Sequence, residues 1–297
     1  MTTAGWRVDR GDQGYPACLE YLDRPPAALF GLGCCDLVGE LREERAVTIV
    51  GSRRSGGYGR GVARDLGYAA AGAGLVVVSG MALGCDSAAH EGALDARGRT
   101  IAVLGGGVDV VSPPSKTDLY RRILARDGAV ISEYPLGTVP EPHHFPARNR
   151  IMAALAKLTI VVEGRHRSGT QITTKEAERI GHDLGAVPGP VTSPLSELPN
   201  ELIKAGAVMI RNSQDLLDEV LGVGVIAADV FGPELEPELR LALSAVESGA
   251  ASADAVAIQA DLDGSTTAVT LVRLELMGYL AGDALGRYAR TALREPG

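Results

Sequence analysis

Between residues 46 and 221 the chain repeats one pattern: a short run rich in Val, Ile and Leu, a turn, then a stretch of helical character. Short apolar runs of this kind suit strands buried on both faces, and helices between them make right-handed crossovers, so the pattern calls for a parallel sheet wound on both sides. It predicts strands at 47–50, 75–79, 100–104, 129–132, 158–163, 184–187 and 207–210. Helices are predicted at 61–72, 86–97, 116–127, 149–156, 173–181 and 213–221. A 4% aromatic content with 38 glycines fits tight strand-to-helix turns. One apolar core does not cover 297 residues, which leaves room for a smaller second domain.

Residues 1–45 do not continue the pattern and hold Arg24-Pro25-Pro26, so they are expected as a lead-in that packs on the sheet. Residues 46–221 are expected as the doubly wound domain, and 222–233, with Gly222, Gly224 and Phe231-Gly232-Pro233, read as a linker. Residues 234–297 carry helical runs at 237–248, 252–260 and 265–277, then a short hairpin at 278–283, the order of a winged helix. Ten acids stand against five arginines in that segment, which favours contact with a protein over the reading of duplex DNA.

Cys18, Cys34, Cys35 and Cys85 have no C-x-x-C spacing, so neither a metal centre nor a disulfide framework is expected. The first ten residues lack the blocks of a signal peptide, and no apolar run has the length of a membrane span, about 18 residues or more. The expectation is a cytoplasmic chain with no membrane contact.

The formal net charge of −8 is unusual for a chain that grips phosphates, but the cations are not evenly spread. From 52 to 64 there are four arginines and no acid; from 143 to 175 there are Arg148, Arg150, Lys157, Arg165, Arg167 and Lys175 against Glu163 alone. Both islands fall on loops that follow or neighbour predicted strand ends, the edge on which doubly wound sheets bind ligands.

The first such loop, Gly51-Ser52-Arg53-Arg54-Ser55-Gly56-Gly57-Tyr58-Gly59, opens a helix whose backbone N–H groups favour an anion. It is neither G-x-G-x-x-G nor G-x-x-x-x-G-K-[ST], so dinucleotide binding and P-loop hydrolysis lose their usual support. The second holds Ser79-Gly80 and Gly84-Cys85-Asp86, where Asp86 either caps the helix or shapes a pocket; His90 further along is read as structural. The third, Phe145-Pro146-Ala147-Arg148-Asn149-Arg150, combines arginine forks for phosphates, an amide for a base and an aromatic stacking face. The fourth, 163–170, ends in Ser168-Gly169-Thr170 and leads into a helix bearing Lys175, a second cradle for an anion.

Taken together, Gly51-Ser52-Arg53, Ser79-Gly80 with Gly84 and Asp86, His90, Ser132-Glu133-Tyr134-Pro135, Phe145 to Arg150 and Pro188-Gly189 resemble the DNA-processing protein A (DprA/Smf) family. The likeness runs from Tyr15-Pro16 to about Ile210 and is weaker beyond. It implies an extended Rossmann-like domain that binds single-stranded DNA, dimerises and helps load the recombinase RecA in natural transformation, without catalysis or cofactor. The family's strand-binding role would fall on Arg53, Phe145, Arg148, Asn149, Arg150, Ser168, Gly169 and Thr170; the same basic loops add Ser52, Arg54 and Lys175 as DNA-binding candidates, with Gly51, Gly56, Gly57, Gly80 and Gly84 shaping the phosphate turns. Cys85, Lys116, His182 and Leu198-Pro199 depart from the family's usual residues. Dimerisation through 127–135 or the Leu202 region is an expectation of the same kind.

Two rival readings remain open at this level. One is a nucleotide phosphoribohydrolase of related fold, with Arg167-Ser168-Gly169-Thr170 as the equivalent loop and Glu176 following on the helix, although the double glycine of that loop and a clear acid/base pair are missing. The other is an adaptor whose acidic C-terminal segment contacts a protein.

Overall fold

The structure is a computed structural model that describes residues 5–166, 168–224, 230–231, 235–282, 286–290 and 293–294. The chain divides into two compact units, Met1–Ala228 and Asp229–Gly297. Most of the expected linker, at 225–229 and 232–233, lies outside the described residues, as does Arg167.

In the first unit the elements run β1 (Trp6–Asp9), β2 (Ala28–Gly33), α1 (Cys35–Gly39), β3 (Ala46–Val50), α2 (Gly57–Gly72), β4 (Val76–Ser79), α3 (Cys85–Asp95), β5 (Thr100–Val103), α4 (Thr117–Ala125) and β6 (Ala129–Ser132). They continue as α5 (His144–Ala154), β7 (Leu158–Val161), α6 (Gly169–Arg179), β8 (Asp183–Ala186), α7 (Glu197–Lys204), β9 (Val208–Met209) and α8 (Ser213–Leu221). The nine strands form one sheet in the order β1-β2-β6-β5-β4-β3-β7-β8-β9. β1 and β2 are antiparallel to their neighbours; every pairing from β6 to β9 is parallel. This is the doubly wound, mostly parallel α/β sheet that the apolar runs called for.

All five residues of β3 are buried, and their alternation feeds two cores. Val47 and Ile49 join α2, α3 and α8 on one face, while Ala46 and Val50 join α1, α5 and α7 on the other. The hydroxyl of Thr48 donates to the carbonyl of Met152 at 2.7 Å, so a polar strand residue is satisfied by the helix above it.

Residues 5–45 correct the sequence reading. They do not merely lie against the sheet; β1 and β2 extend it at the edge beyond β6. Gly31 makes room for the Trp6 indole, into which a Cβ at that position would run. A short 3-10 turn at Ala17–Tyr21 then sends Cys18 and Leu19 into the core shared with α5.

α2 and α3 meet through glycine. A Cβ on Gly67 would collide with the carbonyl of Ala89, and one on Gly92 with the carbonyl of Arg64, so the two backbones touch. These helices follow β3 and β4, and their contact holds the two preceding loops at one separation.

The second unit contains α9 (Pro237–Glu247), α10 (Ala253–Ala260) and α11 (Gly264–Leu276) around a core of Leu239, Leu243, Val256, Leu271 and Tyr279. An antiparallel strand pair, Leu280–Gly282 with Tyr288–Arg290, follows. α10 and α11 are capped by Ser252 and Asp263, whose side chains accept from the backbone N–H groups of Ala255 and of Ser265 and Thr266.

Candidate functional site

β3 lies between β4 and β7, and the chain leaves β3 for β4 on one side and β7 for β8 on the other. The loops at the carboxyl ends of β3 and β7 therefore diverge, and a crevice opens where the winding direction switches. A cleft of about 720 Å³ occupies that place. Its walls come from Gly51 to Arg54, from Ala82 and Asp86, from α5 through Phe145, Arg148 and Asn149, and from Gly164, Arg165 and Ser168 to Thr170.

The first two loops are locked together. Cys85 N–H donates to the Ser52 carbonyl at 3.3 Å, and Gly84 sits at φ +83°, where a Cβ would strike the same carbonyl. Ser52 Oγ accepts from the backbone N–H of Arg54 at 3.1 Å. This leaves the side chains of Arg53 and Arg54 exposed, with the Arg53 guanidinium over the Phe145 ring at 4.9 Å from its centroid. Among the described residues no carboxylate pairs with Arg53, Arg54 or Arg165. Three exposed guanidiniums thus line the cleft without a direct ion pair among the described residues.

Arg148 and Arg150 behave differently from the sequence reading, which had both forking phosphates. The helix starts at His144, ahead of the predicted 149, so the whole motif is helical and residues two apart point to opposite sides. Arg148 is only 4% exposed, and its Nη1 donates to the carbonyls of Gly80, at 2.8 Å, and Val103. Its Nε donates to Asn149 Oδ1 at 3.1 Å, and a Cβ on Gly80 would collide with the guanidinium. Burial pulls Arg148 down to about 10, with the charge of Asp86 acting against that shift. Arg150 turns away and pairs with Glu133 at 2.6 Å, each side chain less than a fifth exposed.

Asp86 is buried and does not occupy the helix cap, which is Gly84. The backbone N–H groups of Ala82 and Gly51 favour its carboxylate form, relating the second loop to the first. Burial pushes its pKa up, and Arg148 draws it back down. Arg148 and Asp86 are therefore positioning residues: buried groups of opposite charge that hold α5 and two loops on the ends of β3, β4 and β5.

Asn149 serves the fourth loop, its Nδ2 donating to the Gly169 carbonyl at 3.0 Å where α6 begins. Ser168 Oγ lines the cleft, buried and with no hydrogen-bond partner among the described residues. Thr170 also lines it, whereas Lys175 is exposed further along α6 and does not. Sequence reasoning passed over Arg165 as a site residue although it counted it in the basic island. It also missed the apolar walls given by Pro142, Ile172 and Leu195, for which the sequence holds no local signal.

His90 is fully buried against Thr100 Oγ1 at 2.7 Å, and that hydroxyl donates to the Val77 carbonyl. Burial pushes its pKa down to about 3, so it is a neutral structural group. Glu141, His143 and His144 bring ligand atoms within 4.8 Å of one another, but His144 Nδ1 already lies 3.0 Å from the Gly105 carbonyl and its ring stacks on Tyr134. Among the described residues no helix is long and apolar enough to cross a membrane.

The family model for DNA recombination-mediator protein A matches residues 6–221. The chain is similar to a DNA processing protein DprA of Mycobacterium tuberculosis, 38% identical over 261 residues that make up 85% of this chain. The match covers 66% of that protein, so the chain spans just under two thirds of this curated relative's length. Among solved structures it is similar to DNA processing protein A of Streptococcus pneumoniae, with a TM-score of 0.67, 37% identity and coverage of 74% of this chain and 75% of the other. It is also similar to DNA processing protein A of Helicobacter pylori, in a structure that concerns that protein's single-stranded DNA binding mode, with a TM-score of 0.64, 28% identity and coverage of 74% and 97%.

Proposed function

Because the chain belongs to the DNA recombination-mediator protein A family, we propose that its switch-point cleft binds single-stranded DNA and makes or breaks no bond. The observation that carries this reading is the group of three exposed guanidiniums with no direct ion pair among the described residues, Arg53, Arg54 and Arg165, around a cleft in which Arg53 also covers an aromatic ring. Phosphates take the guanidiniums, and a base takes the Phe145 ring or the apolar wall beside it. A net charge of −8 does not oppose this, because the field that a strand meets is that of the cleft. In this reading the protein serves DNA uptake and recombination in the cytoplasm, works as a homodimer and passes strands to a RecA-type recombinase.

The second unit completes the proposal as a winged-helix-like module that contacts a protein. α11, the helix that such a module would lay on DNA, exposes Val269, Val272 and Leu276, and its Arg273 is paired with Glu236 at 2.8 Å. That surface has little to offer a phosphate.

The deciding experiment is a salt titration of binding to labelled single-stranded and duplex oligonucleotides, for wild type and for Arg53→Ala with Arg54→Ala. Single-strand preference, with a logarithmic salt slope near 0.7 per phosphate neutralised, and loss of binding in the double variant are expected. Equal affinity for both forms, or binding untouched by the substitutions, overturns the reading and turns attention to base release from nucleoside monophosphates.

A further inference from the structure

In a doubly wound sheet the turn after the first parallel strand, with its glycines and the start of the following helix, is where an anion belongs. Here that turn joins β3 to α2, and the anion beside it is part of the protein. Glu163, just past the end of β7, is 7% exposed, and its carboxylate lies against the first turn of α2. A Cβ on Gly59 would collide with Oε2 and Cδ of Glu163, so the glycine is what lets the carboxylate in. Oε2 is fully buried with no hydrogen-bond donor among the described residues. Burial pushes the acid's pKa up; the Gly56 N–H and the charge of Arg60 act in the opposite direction.

A second pocket, of about 500 Å³, adjoins this carboxylate and is walled by Tyr58, Pro188, Pro190, Ser193 and Ser196. That volume falls within the ~300–1,000 Å³ typical of small-molecule sites. The Tyr58 ring is held there by its hydroxyl, which donates to the Pro188 carbonyl at 2.7 Å. The pocket has the size and one aromatic wall for a nucleotide, and the Glu163 carboxylate stands in its lining where it meets the start of α2.

We infer that Glu163 is the built-in occupant of the anion site at the start of α2, standing where the phosphate of a mononucleotide would stand, and that it determines specificity by excluding free phosphate monoesters. Arg53, Arg54 and Arg165 line the other cleft, which Glu163 does not. The inference does not depend on strand binding, since a chain that bound no DNA would still exclude mononucleotides in this way.

Calorimetric titration of wild type, Glu163→Ala and Glu163→Gln with inorganic phosphate and with adenosine monophosphate tests it. Glu163→Ala, which vacates the cradle, is expected to bind both at least about tenfold more tightly than wild type and to melt at a higher temperature when phosphate is added. Glu163→Gln, which fills the space without charge, is expected to bind no better than wild type. A folded Glu163→Ala protein with wild-type affinity for both probes overturns the inference. Should that variant not fold, the Gly56 amide proton decides: a shift confined to the start of α2 in folded Glu163→Gln supports the carboxylate's seat there, and an unchanged resonance overturns it. Oligonucleotide binding measured on the same samples bears on the strand reading alone.

Discussion

The guanidinium of Arg53 lies over the ring of Phe145, 4.9 Å from its centroid, and so joins the loop after β3 to the helix α5 at the mouth of the cleft. The two residues do different work on a strand, one through charge and one through its flat face. Arg53→Ala is expected to lower single-strand affinity about tenfold near 0.1 M salt and to reduce the salt slope by about 0.7, the loss of one phosphate contact. Phe145→Ala is expected to cost about 1–3 kcal/mol with the slope retained. Fluorescence anisotropy over a range of salt concentrations separates the two; equal changes of slope would show that Phe145 only holds Arg53.

Arg148 acts on stability first. Arg148→Ala removes the donor to the Gly80 and Val103 carbonyls and the guanidinium that most strongly offsets the buried charge of Asp86, a loss of about 3–5 kcal/mol. Urea unfolding measures it. Arg150→Ala strands only Glu133, at about 1–3 kcal/mol, and its folded fraction is expected to bind strands as wild type does. An Arg148→Ala protein of wild-type stability that loses only strand affinity would restore the direct phosphate role that its sequence motif implies.

Gly92→Ala probes the frame beneath the loops. The added methyl meets the Arg64 carbonyl, a backbone atom that no rotamer change moves aside, so α2 and α3 must separate. Overpacking of this kind costs about 1–3 kcal/mol. Chemical denaturation is expected to show that loss together with weaker strand binding, because both helices carry cleft loops at their starts. Gly57→Ala, with open space where its Cβ would go, is the control and is expected to leave stability near wild type.

His90 makes stability depend on pH in a known direction. The unfolded chain takes a proton at this histidine near pH ~6.5. The folded chain takes it only near 3, so between these values unfolding binds a proton and acid favours the unfolded form. The contribution is intact above pH ~6.5 and is lost as pH falls, at up to about 1.4 kcal/mol per pH unit. Urea unfolding of wild type and His90→Asn at pH 7 and pH 5 is expected to show the smaller pH dependence in the variant. Identical pH dependence would mean that His90 protonates readily in the folded protein.

Much of this was legible in the chain because βα units are written locally. The strand runs at 47–50, 100–104 and 129–132 and the glycine turns at 51 and 80 each carry their signal within a few residues. β2 was not legible as a sheet strand because its partner in the main sheet is remote, Phe30 pairing with Ser132 across the βαβ units between them, and β1 joins the sheet only through β2. The roles of Arg148 and Arg150 turned on where α5 begins, a shift of five residues from 149 to His144. That shift exchanges an imagined loop for a helix and sends neighbouring arginines to opposite sides. Glu163 was counted as the lone acid in a basic island, and only the tertiary contact with Gly59 reveals what it does there.

The glycine contact between α2 and α3 has a consequence for how the molecule can vary. Where helices meet through side chains, a substitution is absorbed by repacking and the axes drift apart by fractions of an ångström. Carbonyl against Cα leaves nothing to repack at Gly67 and Gly92. The span between the loops that the two helices support is therefore a fixed gauge: residues on those loops are free to change in charge or shape while the distance at which they are presented to a ligand stays the same.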